Sequence, residues 1–197
     1  MKRILTAGII AVLGITGLFA QAKEWNIDRN HSGITFSIKH MVISEVTGRF
    51  DDFDIKLASS KDDFTDASLE GTIKVKSINT GNEGRDRHLK TDDFFNAEKF
   101  SEIDFKSTSV EKIDNKNYKI TGDLTIRDVT KRVTWDAVLN GTLISKQGTR
   151  AAWKATLAFN RFDYGLKWDK LTEAGGLVAG DIVTITIIGE FVSASGT

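Results

Sequence analysis

The chain has 197 residues, 27 basic and 27 acidic side chains, no cysteine and no proline. No run of one charge sign stands out, which argues against a nucleic-acid partner, and the missing cysteines exclude disulfides and thiolate metal sites. Without proline, the 17 glycines, with asparagine and aspartate, must make the turns.

The first element reads as a leader. Lys2 and Arg3 precede an apolar run from about Ile9 to Phe19, and Ala20-Gln21-Ala22 has the small-x-small pattern of a cleavage site. This predicts a secretory signal peptide over residues 1–22, a single domain over 23–197, and a periplasmic or secreted location. A membrane span takes about 20 apolar residues, so no stable anchor is expected. Loss of Lys2 and Arg3 leaves 25 basic and 27 acidic residues, a net charge near −2.

From Trp25 onward, apolar and polar residues alternate with period two, the sign of strands with one buried face. Trp25 and Ile27 begin it, and Ile34, Phe36, Ile38 and His40 share the next inner face. Phe50, Phe53, Ile55 and Leu57 follow, then Leu69, Gly71, Ile73 and Val75. The charged stretch 79–100 breaks the pattern; its middle, about Glu83–Lys90, predicts a short helix, and Phe94 and Phe95 close it. Alternation resumes at Ile103 and Phe105, at Tyr118–Ile126 with Gly122 and Leu124, at Val133–Leu139 with Trp135 and Ala137, and at Trp153–Phe159 with Leu157. A second irregular stretch, 161–181, carries Tyr164 and Trp168 before the last strand ends near Val192. Short, regular spacings without alternating helices predict an all-β, antiparallel sandwich or barrel.

Chemistry is sparse. His31 and His40 lie nine residues apart, on opposite faces of a regular strand and roughly 30 Å from each other. With His88 they show no HxH or HExxH spacing, so no metal is expected. No GxSxG elbow and no phosphate-binding glycine loop is present, so no catalytic site or cofactor is expected. The cluster RDRHL at Arg85–Leu89 has two readings: Arg85, Arg87 and His88 hold a polar head group, or Arg85 and Asp86 fix the loop over one end of the sheet. The inward aromatic residues describe either a packed core or a barrel around one small ligand. Gly71, Gly122 and Ala137 at inward positions leave room for the latter.

The ordered blocks WNIDRNHSGITFSIKHMVISEVTGRFDDFD, SINTGNEGRDRHLKTDDFFNAEKFSEIDFKST, YKITGDLTIRDVTKRVTW, FNRFDYGL and GDIVTITI closely resemble the YceI family. The family's HS pair falls on His31 and Ser32, its strand histidine on His40, and its VxGxF element on Val46, Gly48 and Phe50. Its RDxHL element falls on Arg85, Asp86, His88 and Leu89, and DFF on Asp93, Phe94 and Phe95. The chain departs at Ser101, where a proline is common, and at Asp128 and Arg132, where glycine and proline are common; these turn positions bear on hairpin rigidity. The resemblance implies a lipocalin-like antiparallel β-barrel of about eight strands with one short helical insertion, holding a polyisoprenoid or other long amphipathic lipid.

The expected function is therefore storage or transport of a polyisoprenoid, an isoprenoid quinone or a long-chain fatty-acid derivative. The expected contacts are Ile34, Phe36, Ile38, Phe50, Ile73, Phe105, Leu124, Trp135, Trp153, Leu157 and Phe159 along the strands. Phe94, Phe95 and Trp168 join them from the irregular segments, His40 at the polar end of its strand, and Arg85 and His88 at the mouth. One alternative is an enzyme acting on such a lipid with His40 or His88 as acid–base; another is a filled barrel working through protein contacts. A homodimer is compatible with apolar Ile182 and Ile188 on the last strand.

Overall fold

The computed structural model describes residues 22–193 apart from 147, 172 and 174. The leader, except Ala22, lies outside the described residues. Eleven strand segments run in chain order: β1 (Lys23–Ile27), β2 (Gly33–His40), β3 (Ser44–Phe50), β4 (Phe53–Ser59), β5 (Ser68–Lys74), β6 (Ile78–Asn79), β7 (Glu102–Lys112), β8 (Asn117–Ile126), β9 (Val129–Ser145), β10 (Gly148–Asn160) and β11 (Ala179–Ser193). The helix α1 (Glu83–Leu89) sits between β6 and β7.

Every pairing is antiparallel, and three of the eight strands of the ring are broken. β1 and β2 both pair with β11, separated by a 3-10 turn at Arg29–His31. β3 and β4 are separated at Asp51 and Asp52, β5 and β6 by a 3-10 turn at Val75–Ser77; β3 pairs with β6 and β4 with β5. The meander closes where Asn26 and Ile27 of β1 face Val192 and Phe191 of β11. Closure removes the free edges that an open sheet would expose. Phe50 and Phe53, which the sequence reading places in one run, are both buried although three residues apart; a regular strand forbids this, and the break at Asp51 and Asp52 allows it.

Both ends are covered. At the lower end, where β4 meets β5, the loop 60–67 turns Phe64 inward in a left-handed conformation (φ 57°). Its ring is 5.2 Å from those of Trp25 and Trp153, and Tyr118 Oη donates to the Asp63 carbonyl at 3.0 Å. At the upper end, Asn82 caps α1 by accepting from Arg85 N at 3.0 Å. Arg127, in the β8–β9 turn, donates from Nη1 to the carbonyls of Asp92 (3.1 Å), Phe94 (2.9 Å) and Gly165 (2.9 Å), and from Nη2 to Asp92 Oδ1 (2.7 Å). One side chain thus ties both irregular segments to the barrel rim.

Carboxylates anchor the turns electrostatically. A hydrogen bond with His31, then one from Arg150, lowers Asp28 from 3.8 to about 2. Bonds from Asn117 and the Lys116 backbone lower Asp114 to about 2. Ser59 and Ser60 pull Asp66 further down. A depressed carboxylate stabilises the fold fully above its unfolded pKa, and that share is lost as pH falls through the folded value. The urea midpoint is therefore expected to lose these groups' share between pH 3.8 and about 2, and Asp28→Asn makes that fall shallower. An equal acid-induced fall in wild type and Asp28→Asn would contradict this.

Candidate functional site

Two apolar cavities lie one above the other inside the barrel. The lower, of about 100 Å³, is walled by Ile34, Ile73, Phe105, Leu124, Trp135 and Trp153 among others. The upper, of about 220 Å³, takes in Phe36, Ile38, His40, Phe50, Arg85, His88, Phe94, Phe95, Phe159 and Trp168. The vertical order follows from the strands: along β2, Ile34 lines the lower cavity and Phe36, Ile38 and His40 the upper; along β10, Trp153 lines the lower and Phe159 the upper. Ile103 of β7 and Ile185 of β11 line both. These strands are four apart in an eight-membered ring, so the two isoleucines face each other across the barrel and form a waist.

One expected lining residue falls outside both cavities. Leu157 has inward parity and is 7% exposed, but it packs into the wall opposite Ile185 and is core. Gly122 also leaves no room: a Cβ there would come within 2.7 Å of the Phe105 ring, which lies on it. Phe36 covers Gly48 and Phe191 covers Gly189 in the same way. At three inward glycines an aromatic ring thus occupies the space that a side chain would take. Gly71 and Ala137 do line the lower cavity.

The histidines do not converge. His31 Nδ1 is 3.0 Å from Asp28 Oδ2 beside the β1–β2 break, His40 is 3.5 Å from Ser44 Oγ, and His88 Nε2 is 2.8 Å from Asp93 Oδ2. Asp28, His31 and Glu190 bring ligand atoms within 4.8 Å of one another. The Arg150 guanidinium bridges both of those carboxylates, so a cation already occupies that cluster.

RDRHL divides by face. Arg87 points outward to Glu83. Asp86 accepts from Thr80 N at 2.9 Å and from its hydroxyl, while Arg85 donates to Thr80 Oγ1 (2.8 Å) and the Thr80 carbonyl (3.0 Å). Arg85 and Asp86 therefore fix the loop without pairing with each other, and Arg85 still reaches the cavity wall. His88 is held edge-on between Phe94 (5.1 Å) and Trp168 (5.6 Å), where it links the two irregular segments.

The sequence reading missed Arg161, which also lines the upper cavity. It is 1% exposed and donates to the carbonyls of Gly180 (2.7 Å), Leu166 (2.7 Å) and Ala179 (3.1 Å). Burial lowers its pKa from the ordinary guanidinium value, with Asp181 and Asp169 opposing through space. It stands just past the inward-facing Phe159, where a charged residue ordinarily signals the strand's exit into water. Phe64 and Phe191 were missed as well, since a loop residue and the end of a strand apolar on both faces carry no parity signal.

Fold and site together define an up-and-down β-barrel that encloses an apolar chamber, closed below by an aromatic plug and capped above by a short helix. The chain belongs to the YceI family: the YceI-like domain matches residues 25–191. A UPF0312 protein of Staphylococcus aureus (strain N315) is 36% identical over 172 residues, spanning 85% of this chain and 96% of that protein. The crystal structure of the Campylobacter jejuni YceI protein is 30% identical, with a TM-score of 0.65 over 80% of this chain and 90% of that one. A polyisoprenoid binding domain from Saccharophagus degradans shares the fold at 16% identity and a TM-score of 0.63, over 86% and 98% of the chains.

Proposed function

We propose that this protein is a lipid-binding barrel that encloses the apolar part of one single-chain lipid, a polyisoprenoid, quinone or fatty-acid derivative, and stores or carries it. The observation that carries the reading is the pair of apolar cavities inside the barrel, which share Ile103 and Ile185 in their walls. Their combined space is near the lower end of ligand pockets, about 300–1,000 Å³, so it suits one chain better than a two-chain phospholipid. Each methylene leaving water contributes about 0.8 kcal/mol before ordering costs. The polyisoprenoid-binding description of the Saccharophagus degradans domain agrees in chemistry. The leader-like residues 1–22 support export to the periplasm or beyond.

We read the site as one of binding and not of catalysis. His88 is bonded to Asp93 and set between two rings, a geometry that positions the cap. The test is direct. Organic extraction of the purified protein, followed by mass spectrometry, is expected to release a single-chain lipid. The delipidated protein is then expected to bind a long-chain fluorescent alcohol saturably, one per barrel. No released lipid together with no saturable binding would sink the proposal.

A further inference from the structure

Ten large apolar residues stand exposed among the described residues, and six of them are at the upper end: Met41, Val42, Ile43, Phe162, Leu171 and Ile182. Three are consecutive and form the turn between β2 and β3, where His40 pairs with Ser44. Val42 is 71% and Ile43 89% exposed. At the lower end the exposed pair Leu143 and Ile144 has a different setting. Leu143 faces Arg150 across the hairpin, and Arg150 is bound to Asp28 and Glu190.

The backbone of the β2–β3 turn does not favour these residues. Met41 and Val42 both take left-handed conformations, φ 51° and 69°. Glycine, asparagine or aspartate adopts them with little strain, whereas a β-branched residue there is an outlier. Local turn chemistry and contact with water both disfavour the apolar side chains, so folding alone does not account for them. The turn carries no free charge of its own: Lys39 pairs with Glu45, and His40 lies beside Ser44. It also adjoins the chamber. Met41 N donates to the Val178 carbonyl at 2.9 Å, and Lys39, His40 and Val178 line the upper cavity.

We propose that the β2–β3 turn is a membrane-docking tip: Val42 and Ile43 enter the surface of a lipid bilayer and hold the mouth of the upper cavity against it. A protruding apolar turn fits the acyl boundary of a bilayer, which needs no matching groove. The adjoining cavity gives this surface a use, since a chain that passes between bilayer and barrel there crosses less water. The proposal rests on the chain-binding reading above and adds the surface at which the chain is exchanged. With no cationic patch at the turn, docking is expected on zwitterionic vesicles and to change little with salt.

The test is flotation of the purified protein with dioleoylphosphatidylcholine vesicles, beside binding of the fluorescent alcohol in solution. Wild type is expected to float with the vesicles. Ile43→Asp is expected to lower the partition coefficient about tenfold or more while alcohol binding stays unchanged. Val42→Gly removes the side chain and suits the left-handed backbone, so it is expected to weaken flotation without lowering the melting temperature. Wild type that does not float, or Ile43→Asp that floats equally well, overturns the docking tip and leaves chain binding intact. A change of oligomeric state in Ile43→Asp with flotation unaltered assigns the tip to a protein contact and overturns the proposal too. Flotation without alcohol binding in wild type overturns the chain-binding reading, and with it the role of the tip in exchange.

Discussion

Phe64→Ala is expected to lower the melting temperature by roughly 6–20 °C. Phe64 is 1% exposed and packs against Trp25 and Trp153 at 5.2 Å. Truncating a buried phenylalanine costs about 3–5 kcal/mol through lost burial and the void left behind. For a domain of this size each kcal/mol corresponds to about 2–4 °C. The surrounding loop cannot readily collapse into the void, because Asp66 holds Ser59, Ser60 and Lys61 and Tyr118 holds Asp63. Water then gains access to the lower cavity, so affinity for a long chain falls along with stability. Thermal unfolding followed by circular dichroism reads the first effect. A shift below about 2 °C would mean that Phe64 does not seal the barrel.

The second large effect is expected at the waist. Ile185→Trp fills the junction between the cavities, opposite Ile103. Overpacking of this kind costs about 1–3 kcal/mol of stability, which leaves the fold in place. A chain that extends into the lower cavity is then held in the upper one alone. If four methylenes lose their burial, affinity falls by about 3 kcal/mol, on the order of a hundredfold. A homologous series of alcohols reads this directly. In the wild type, affinity rises with chain length until both cavities are filled; in Ile185→Trp it levels off at a shorter chain. Identical length profiles would show that the ligand does not pass between Ile103 and Ile185.

Much of the architecture was legible along the chain, because a strand with one buried face must alternate. The runs from Ile34, Ile73, Tyr118, Trp135 and Trp153 became strands with those residues inward. The stretch about Glu83–Lys90 lacks alternation and became the helix α1, Glu83–Leu89. Nine alternating runs became eight ring strands, since β1 and β2 are halves of one strand broken at the Asp28-capped turn. Parity reports which side of the wall a residue takes. It does not report whether the space in front of it is empty, which is why Leu157 packs as core and why Phe105 fills the position at Gly122.

What the sequence by itself determined is which residues of each run face into the barrel and which face out, for this follows from local alternation. Only the tertiary structure decided which residues meet across the interior. Closure of β1 on β11 sets Ile185 opposite Ile103 and divides the chamber. The fold of the two irregular segments carries Arg161 and Arg85 to the lining of the same cavity. Such meetings depend on register and loop path over more than seventy residues of chain, between Arg85 and Arg161, and no local pattern encodes them.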